Sequence, residues 1–272
     1  MEIIIKPKKG LSLMDLKELW NYRELFYFLS WRDIKLRYKQ TVFGIGWAVF
    51  QPLMVMFVFS IIFGKIAKVP SDGIPYPIFS YAGLLFWNIF ANSLGNASQS
   101  LIGSANIIQK VYLPKVIIPA SAIIVTLVDF LFSAMVFTAI LIYFNFLPHI
   151  EGLILLPICL IITLLASLGL GWFFAAVNVK YRDVRYILPF FIQLLIYITP
   201  VIYPVSVIPQ KFQWILYLNP MTGVIEAFKA GFLGTGNIIW MNLGISAAMS
   251  VVFLVFGLMY FLKTERYFAD II

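Results

Sequence analysis

The chain has 272 residues, of which 62% are hydrophobic and only 12% charged; 17% are aromatic and the mean hydropathy is +0.94. Soluble domains carry about 25% charged and about 45–50% apolar residues, so a water-soluble globule is excluded. The net charge of +8 leaves a multi-span membrane protein or a nucleic-acid binder, and the apolar content disfavours the second. A single Cys159 and a single His149 exclude a disulfide scaffold and a Cys/His metal site.

From the start, no uninterrupted apolar core follows a short basic segment, so no secretory signal is expected. The run Ser12-Leu13-Met14-Asp15 reads as a helix cap. Leu16, Leu19, Trp20, Phe26 and Leu29 then recur at roughly helical spacing, with Asp15, Lys17, Glu18 and Glu24 elsewhere and Arg23 interrupting the apolar face. This amphipathic helix is too charged to span and is expected to lie along a membrane interface; a small soluble helix packed on the rest of the protein is the alternative.

Six stretches have the roughly 20 apolar residues that a spanning helix needs: 47–65, 77–98, 117–144, 153–177, 187–206 and 239–262. The second is the least apolar, because Asn88, Asn92, Ser93, Asn96, Ser98 and Gln99 populate its latter half. Amides facing lipid are costly, so these should face other helices or a water-filled path. With six spans, 16 of the 20 Lys and Arg fall on one side, which predicts that both termini are cytoplasmic.

Between spans two and three, the segment from Asn106 to Lys115 is short and half apolar, bounded by Gly103 and Pro114. It suits either docking on a soluble partner or resting on the lipid surface. Between spans five and six, an outer segment marked by Pro204, Pro209 and Pro220 holds two amphipathic pieces, Gln210 to Leu218 and Met221 to Leu233. Both are too short to cross and read as re-entrant or interfacial helices, suited to a gate, or as simple surface helices. Aromatic stripes run along span one (Phe43, Trp47, Phe50, Phe57) and span five (Tyr186, Phe190, Gln193, Tyr197). Such faces stack on sugar rings, although helix packing or an interfacial belt uses the same residues.

Asp129, near the middle of span three, is an ionisable group at membrane depth and therefore a functional candidate. Without a second titratable group in mid-span a proton relay is disfavoured, and a structural or hydration role is expected, with Thr126 and Ser133 as same-face hydroxyls. Glu226 and Lys229 read as a solvated outer pair, and Cys159 as a packing residue. There is no Gly-rich phosphate loop, Ser-His-Asp set or carboxylate pair in a cleft, so no catalytic residue is assigned and nucleotide hydrolysis is not expected of this chain.

Several segments together resemble one family. The run from Trp31 to Trp47, WRDIKLRYKQTVFGIGW, followed by Pro52, is similar to the opening of the membrane subunit of bacterial polysaccharide-exporting ABC transporters. So are Asn178-Val179-Lys180-Tyr181-Arg182-Asp183-Val184, Thr199-Pro200-Val201-Ile202-Tyr203-Pro204 and Leu218-Asn219-Pro220-Met221, in the right order relative to the spans.

The resemblance implies an all-α integral membrane permease of the O-antigen, capsule or teichoic acid exporter type. It would be one domain: a cytoplasmic N-terminus with the interface helix (1–46), a six-span bundle (47–262) and a cytoplasmic tail (263–272). It would form a homodimer in the bacterial inner membrane with two copies of a separate ATP-binding subunit, which holds ATP and Mg; the chain itself holds no cofactor, and no nucleic acid is involved. A lipid-linked polysaccharide, most simply O-antigen, would be the cargo. By the same resemblance, Asn106, Ile107, Ile108, Gln109, Lys110, Val111, Tyr112 and Leu113 form a coupling helix seated on the ATPase, with Arg182 and Asp183 beside it. Phe43, Trp47, Phe50, Phe57, Phe190 and Tyr197 would line the channel, and the short outer helices, with Trp214, Tyr217, Asn219, Pro220 and Glu226, would form the outer gate. A teichoic acid exporter and an exporter of small lipids or drugs share this plan. An integral-membrane glycan transferase should show carboxylates or a metal cluster at a membrane face, and a pure scaffold would not need the proline-marked outer segment.

Overall fold

The computed structural model describes residues 20–39, 45–111 and 113–268. The expected cap at Ser12, the first turns of the amphipathic helix, Phe43 and Tyr112 lie outside the described residues. All regular structure among the described residues is helical: α1 (Arg23–Lys39), α2 (Ile45–Phe59, continued as a π-helix over Ser60–Ile66), α3 (Tyr76–Gly103), α4 (Ala105–Lys110), α5 (Ile117–Tyr143), α6 (Ile150–Lys180), α7 (Val184–Ile198), α8 (Gln210–Leu216), α9 (Pro220–Phe228, continued as a π-helix over Lys229–Leu233) and α10 (Trp240–Thr264).

Among the described residues four helices are long and apolar enough to cross a membrane: Gly46–Ile66, Ile117–Tyr143, Ile150–Lys180 and Trp240–Tyr267. The second expected stretch forms α3, which is long but interrupted by its amides. It sits inside the bundle, packed by α2, α5, α6, α7 and α9, and some of its polar groups bond to its neighbours. Ser93 and Thr126 share a hydroxyl hydrogen bond of 2.6 Å, Tyr81 donates to the Ser133 carbonyl at 3.2 Å, and Asn178 donates to the Ser98 carbonyl at 2.8 Å. Hydropathy reads this helix poorly because most of it is buried against other helices.

The fifth stretch departs from expectation. Instead of 187–206, α7 covers Val184–Ile198, 15 residues or about 22 Å at 1.5 Å per residue, short of a hydrocarbon core of about 30 Å. Pro200 disfavours helical geometry at Thr199, whose φ and ψ are −78° and 141°, so the chain leaves the helix there.

Two apolar cores hold the bundle. The larger centres on α3 with Tyr81, Phe86, Phe130, Phe137 and Phe228. The smaller gathers Leu29 of α1, Leu101, Ile108, Leu113, Trp172, Phe261 and Phe268 and defines what we call the α4 end. There the C-terminal residues tie to the α4–α5 turn: Glu265 accepts from the Lys115 amide at 3.0 Å, and the Lys115 ammonium donates to the Glu265 carbonyl at 3.1 Å. At the crossing of α6 and α10 the backbones touch: a Cβ on Gly257 would lie 1.8 Å from the Gly169 carbonyl oxygen. Membrane helices approach this closely only through small residues.

Candidate functional site

The polar run of the N-terminal region lies on α1, which packs along α5. Near the α4 end Leu29 is buried, and at the other end of α1 the Arg37 guanidinium lies 2.7 Å from Asp129, while the Tyr38 hydroxyl donates to the same carboxylate. The partners of Asp129 are thus not the expected Thr126 and Ser133. Thr126 spends its hydroxyl on Ser93 and the Ile123 carbonyl, so a cation and a phenol from another helix satisfy the acid. The expected structural role takes a definite form, a tether joining α1 to α5. Arg32 and Asp33 make a second ion pair at 2.7 Å. Burial and the neighbouring Asp129 push the Tyr38 phenol up, which keeps it a donor.

The aromatic candidates fall on two apolar helices with little buried surface. Trp47, Phe50 and Phe57 are exposed on α2, and Phe190 and Tyr197 on α7. Along α7 only Leu188 is fully buried. Both helices lean on α3, and the stripe residues are on their exposed sides. Trp47 and Phe50 pair with ring centroids 5.9 Å apart.

At the α4 end the structure divides the docking segment. Ile108 and Leu113 turn into the smaller core, and Ile107 is half-buried, whereas Asn106, Gln109, Lys110 and Val111 are exposed. Arg182 and Asp183 are exposed in the α6–α7 turn, at the same end as the Trp172 and Val179 positions of that core.

At the opposite end α8 and α9 differ. Trp214 on α8 is exposed, while α9 is buried almost all round against α3, α6 and α10, so the second piece is not a simple surface helix. Asn219 caps it, accepting from the Met221 amide at 3.0 Å and donating to the Thr199 hydroxyl at 2.8 Å, and Pro220 occupies its first turn. The Tyr217 hydroxyl donates to Glu226 at 2.8 Å, and the Asn242 amide reaches both, at 2.6 Å and 3.2 Å.

Glu226 and Lys229 are not the expected solvated pair. Lys229 is buried, donating to the Pro200 and Val201 carbonyls at 2.8 and 3.0 Å with its ammonium 3.5 Å from the Phe79 ring centroid. The reason is the burial of α9, whose π-turn faces the end of α7. These contacts tie α3, α7 and α9 together, and the sequence reading missed them. Among the described residues no cluster of His, Cys, Asp or Glu is arranged to hold a metal.

Residues 24–233 match the family described as ABC-2 type transporter. The chain is 31% identical over 262 residues to the O-antigen export system permease protein RfbA of Klebsiella pneumoniae, covering 95% of this chain and 100% of the relative. It is 29% identical to the RfbA of Myxococcus xanthus, over 79% of this chain and 83% of that one. The polysialic acid transport protein KpsM of Escherichia coli is 24% identical, over 86% and 91%.

Proposed function

The chain belongs to the ABC-2 type transporter family, and we propose that it is the permease subunit of an ATP-driven exporter of a lipid-linked polysaccharide, O-antigen in the simplest case, across the bacterial inner membrane. The observation that carries this reading is similarity along the full length of relatives named for O-antigen export. Four strongly apolar helices and the absence of a Gly-rich phosphate loop from the sequence are in keeping with a transport subunit whose nucleotide is held elsewhere.

In this reading α2, α3, α5, α6, α7 and α10 are the six spans, with α7 completed by the segment beyond Thr199, and both termini are cytoplasmic. The open, aromatic faces of α2 and α7 suit burial against a second copy of the chain around a glycan path. Stacking on rings is sequence-tolerant and weak enough per ring to let a polymer slide. The exposed side of α4 with Arg182 and Asp183 takes the ATP-binding subunit, which supplies ATP and Mg. Because only a difference in contacts between two states converts nucleotide binding into movement, α4 must meet that subunit differently before and after closure. Motion at α4 reaches the body through Ile108 and Leu113, and the re-entrant α9, with the Tyr217, Glu226 and Asn242 network, is the outer gate.

Deleting the gene tests the reading: polymer should be made but retained inside the cell and return to the surface on complementation. Normal surface polymer in the deletion strain would refute it.

A further inference from the structure

Two recesses lie behind α1, mostly apolar but each with polar side chains from α3, and Arg37 lines both. The inner, about 310 Å³, lies between α2, α3 and α5, and its walls include Trp47, Gln51, Asn88, Asn92 and Asp129. The outer, about 580 Å³, opens toward the α4 end and includes Arg32, Asn96 and Gln99. Both fall in the range of small-molecule sites, about 300–1,000 Å³. Along α3, Asn88, Asn92, Asn96 and Gln99 are spaced four, four and three residues apart, which places them on one helical face and makes a single amide track through both recesses. Their side chains make no hydrogen bond among the described residues, whereas the neighbouring Ser93 and Ser98 hydroxyls are satisfied.

Asn88, Asn92 and Asn96 are half-buried and Gln99 is exposed, so these amides are open to a ligand in place of water, and the charge of the walls indicates which kind. Arg32 is matched by Asp33 and Arg37 by Asp129, so the arginines offer no uncompensated charge to a phosphate. An amide both donates and accepts, as a sugar hydroxyl does, and Trp47 adds an aromatic ring at the inner wall. We propose that this groove binds a neutral, hydroxyl-rich sugar unit, a subsite within a single protomer that, among the described residues, shares only Trp47 with the aromatic stripes of α2 and α7. This inference rests on the reading of the chain as a polysaccharide exporter but is tested without export.

The test uses a reporter cysteine that spares the amides, Ala48→Cys on the inner wall, in the full-length chain in lipid nanodiscs; the sole native cysteine, Cys159, is buried. The rate of maleimide labelling is measured with decyl maltoside, decyl phosphate or decanol, which share one tail and differ in headgroup. Gly95→Cys, in the outer recess with nothing within 4 Å of an added Cβ, is a second reporter in case the first variant fails to fold, and Asn106→Cys, exposed on α4, is the control. Decyl maltoside alone should slow labelling at positions 48 and 95, by about threefold when two-thirds of the sites are filled, and leave position 106 unchanged. Equal slowing by decyl phosphate or decanol would overturn the proposal in favour of an anion or lipid site. Labelling that no probe slows, or reporters that never label because the groove is dry or filled by a second copy, would overturn it as well. None of these results bears on whether the chain exports polymer, which the deletion strain decides.

Discussion

Replacing Arg37 by Met removes the cation from a carboxylate whose side chain is only 11% exposed. Stranding a buried charge typically costs about 3–5 kcal/mol, but the Arg37 side chain is 37% exposed and water weakens the pair, so about 2 kcal/mol is the working figure. That corresponds to about a 30-fold shift toward an undocked α1. Trypsin reads the shift, since Arg32 and Lys35 lie on α1, and cleavage follows the open population when opening and closing are fast. Cutting there should accelerate by about 30-fold relative to cutting at Arg182 in the exposed α6–α7 turn. In Arg37→Met with Asp129→Asn the stranded charge is gone and Tyr38 keeps an acceptor, so cleavage should return to within about threefold of the unaltered protein. A single variant that cuts at the normal rate, or a double variant that cuts as fast as the single, would refute the tether.

Lys110→Glu with Val111→Asp should abolish co-purification of the ATP-binding subunit while the chain still reaches the membrane; retained association would remove α4 from the interface. Trp47→Ala with Tyr197→Ala should lower polymer export at least about tenfold, a loss of about 1.4 kcal/mol, while basal ATP hydrolysis stays measurable. Normal export would refute the aromatic path. Gly257→Ala puts a methyl into the Gly169 backbone and should cost more than about 3 kcal/mol, as overpacking at its worst does, seen as loss of monodisperse protein in detergent; Gly244→Ala, with nothing within 4 Å, should behave normally.

The long apolar runs of α5, α6 and α10 were legible because their length and composition admit few alternatives. α3 was legible only by setting its amides aside, since hydropathy registers polarity and not the neighbours that satisfy it. The end of α7 was overrun because apolar residues continue past Thr199 while the backbone does not, with Pro200 the local signal. The partner of Asp129 was hidden, because no local pattern says which helix of a bundle faces which. What the sequence did offer was the rule that a buried carboxylate needs a cation, together with the basic run Arg32, Lys35, Arg37 and Lys39 close ahead of the first span. Lys229 was misread because a three-residue spacing suggests a pair with Glu226 only if the helix is exposed, and α9 is inside the bundle. The division of α4 into an inward and an outward side likewise depends on the smaller core, assembled from α1, α3, α4, α5, α6 and the C-terminal residues.

Inverted inner-membrane vesicles offer the most direct measurement of the central claim. With lipid-linked polysaccharide on the outer, originally cytoplasmic, leaflet, added ATP should move the glycan into the lumen, where it resists an externally added glycosidase, and vesicles lacking this chain should show no such protection. Equal ATP-dependent protection with and without the chain would contradict the account.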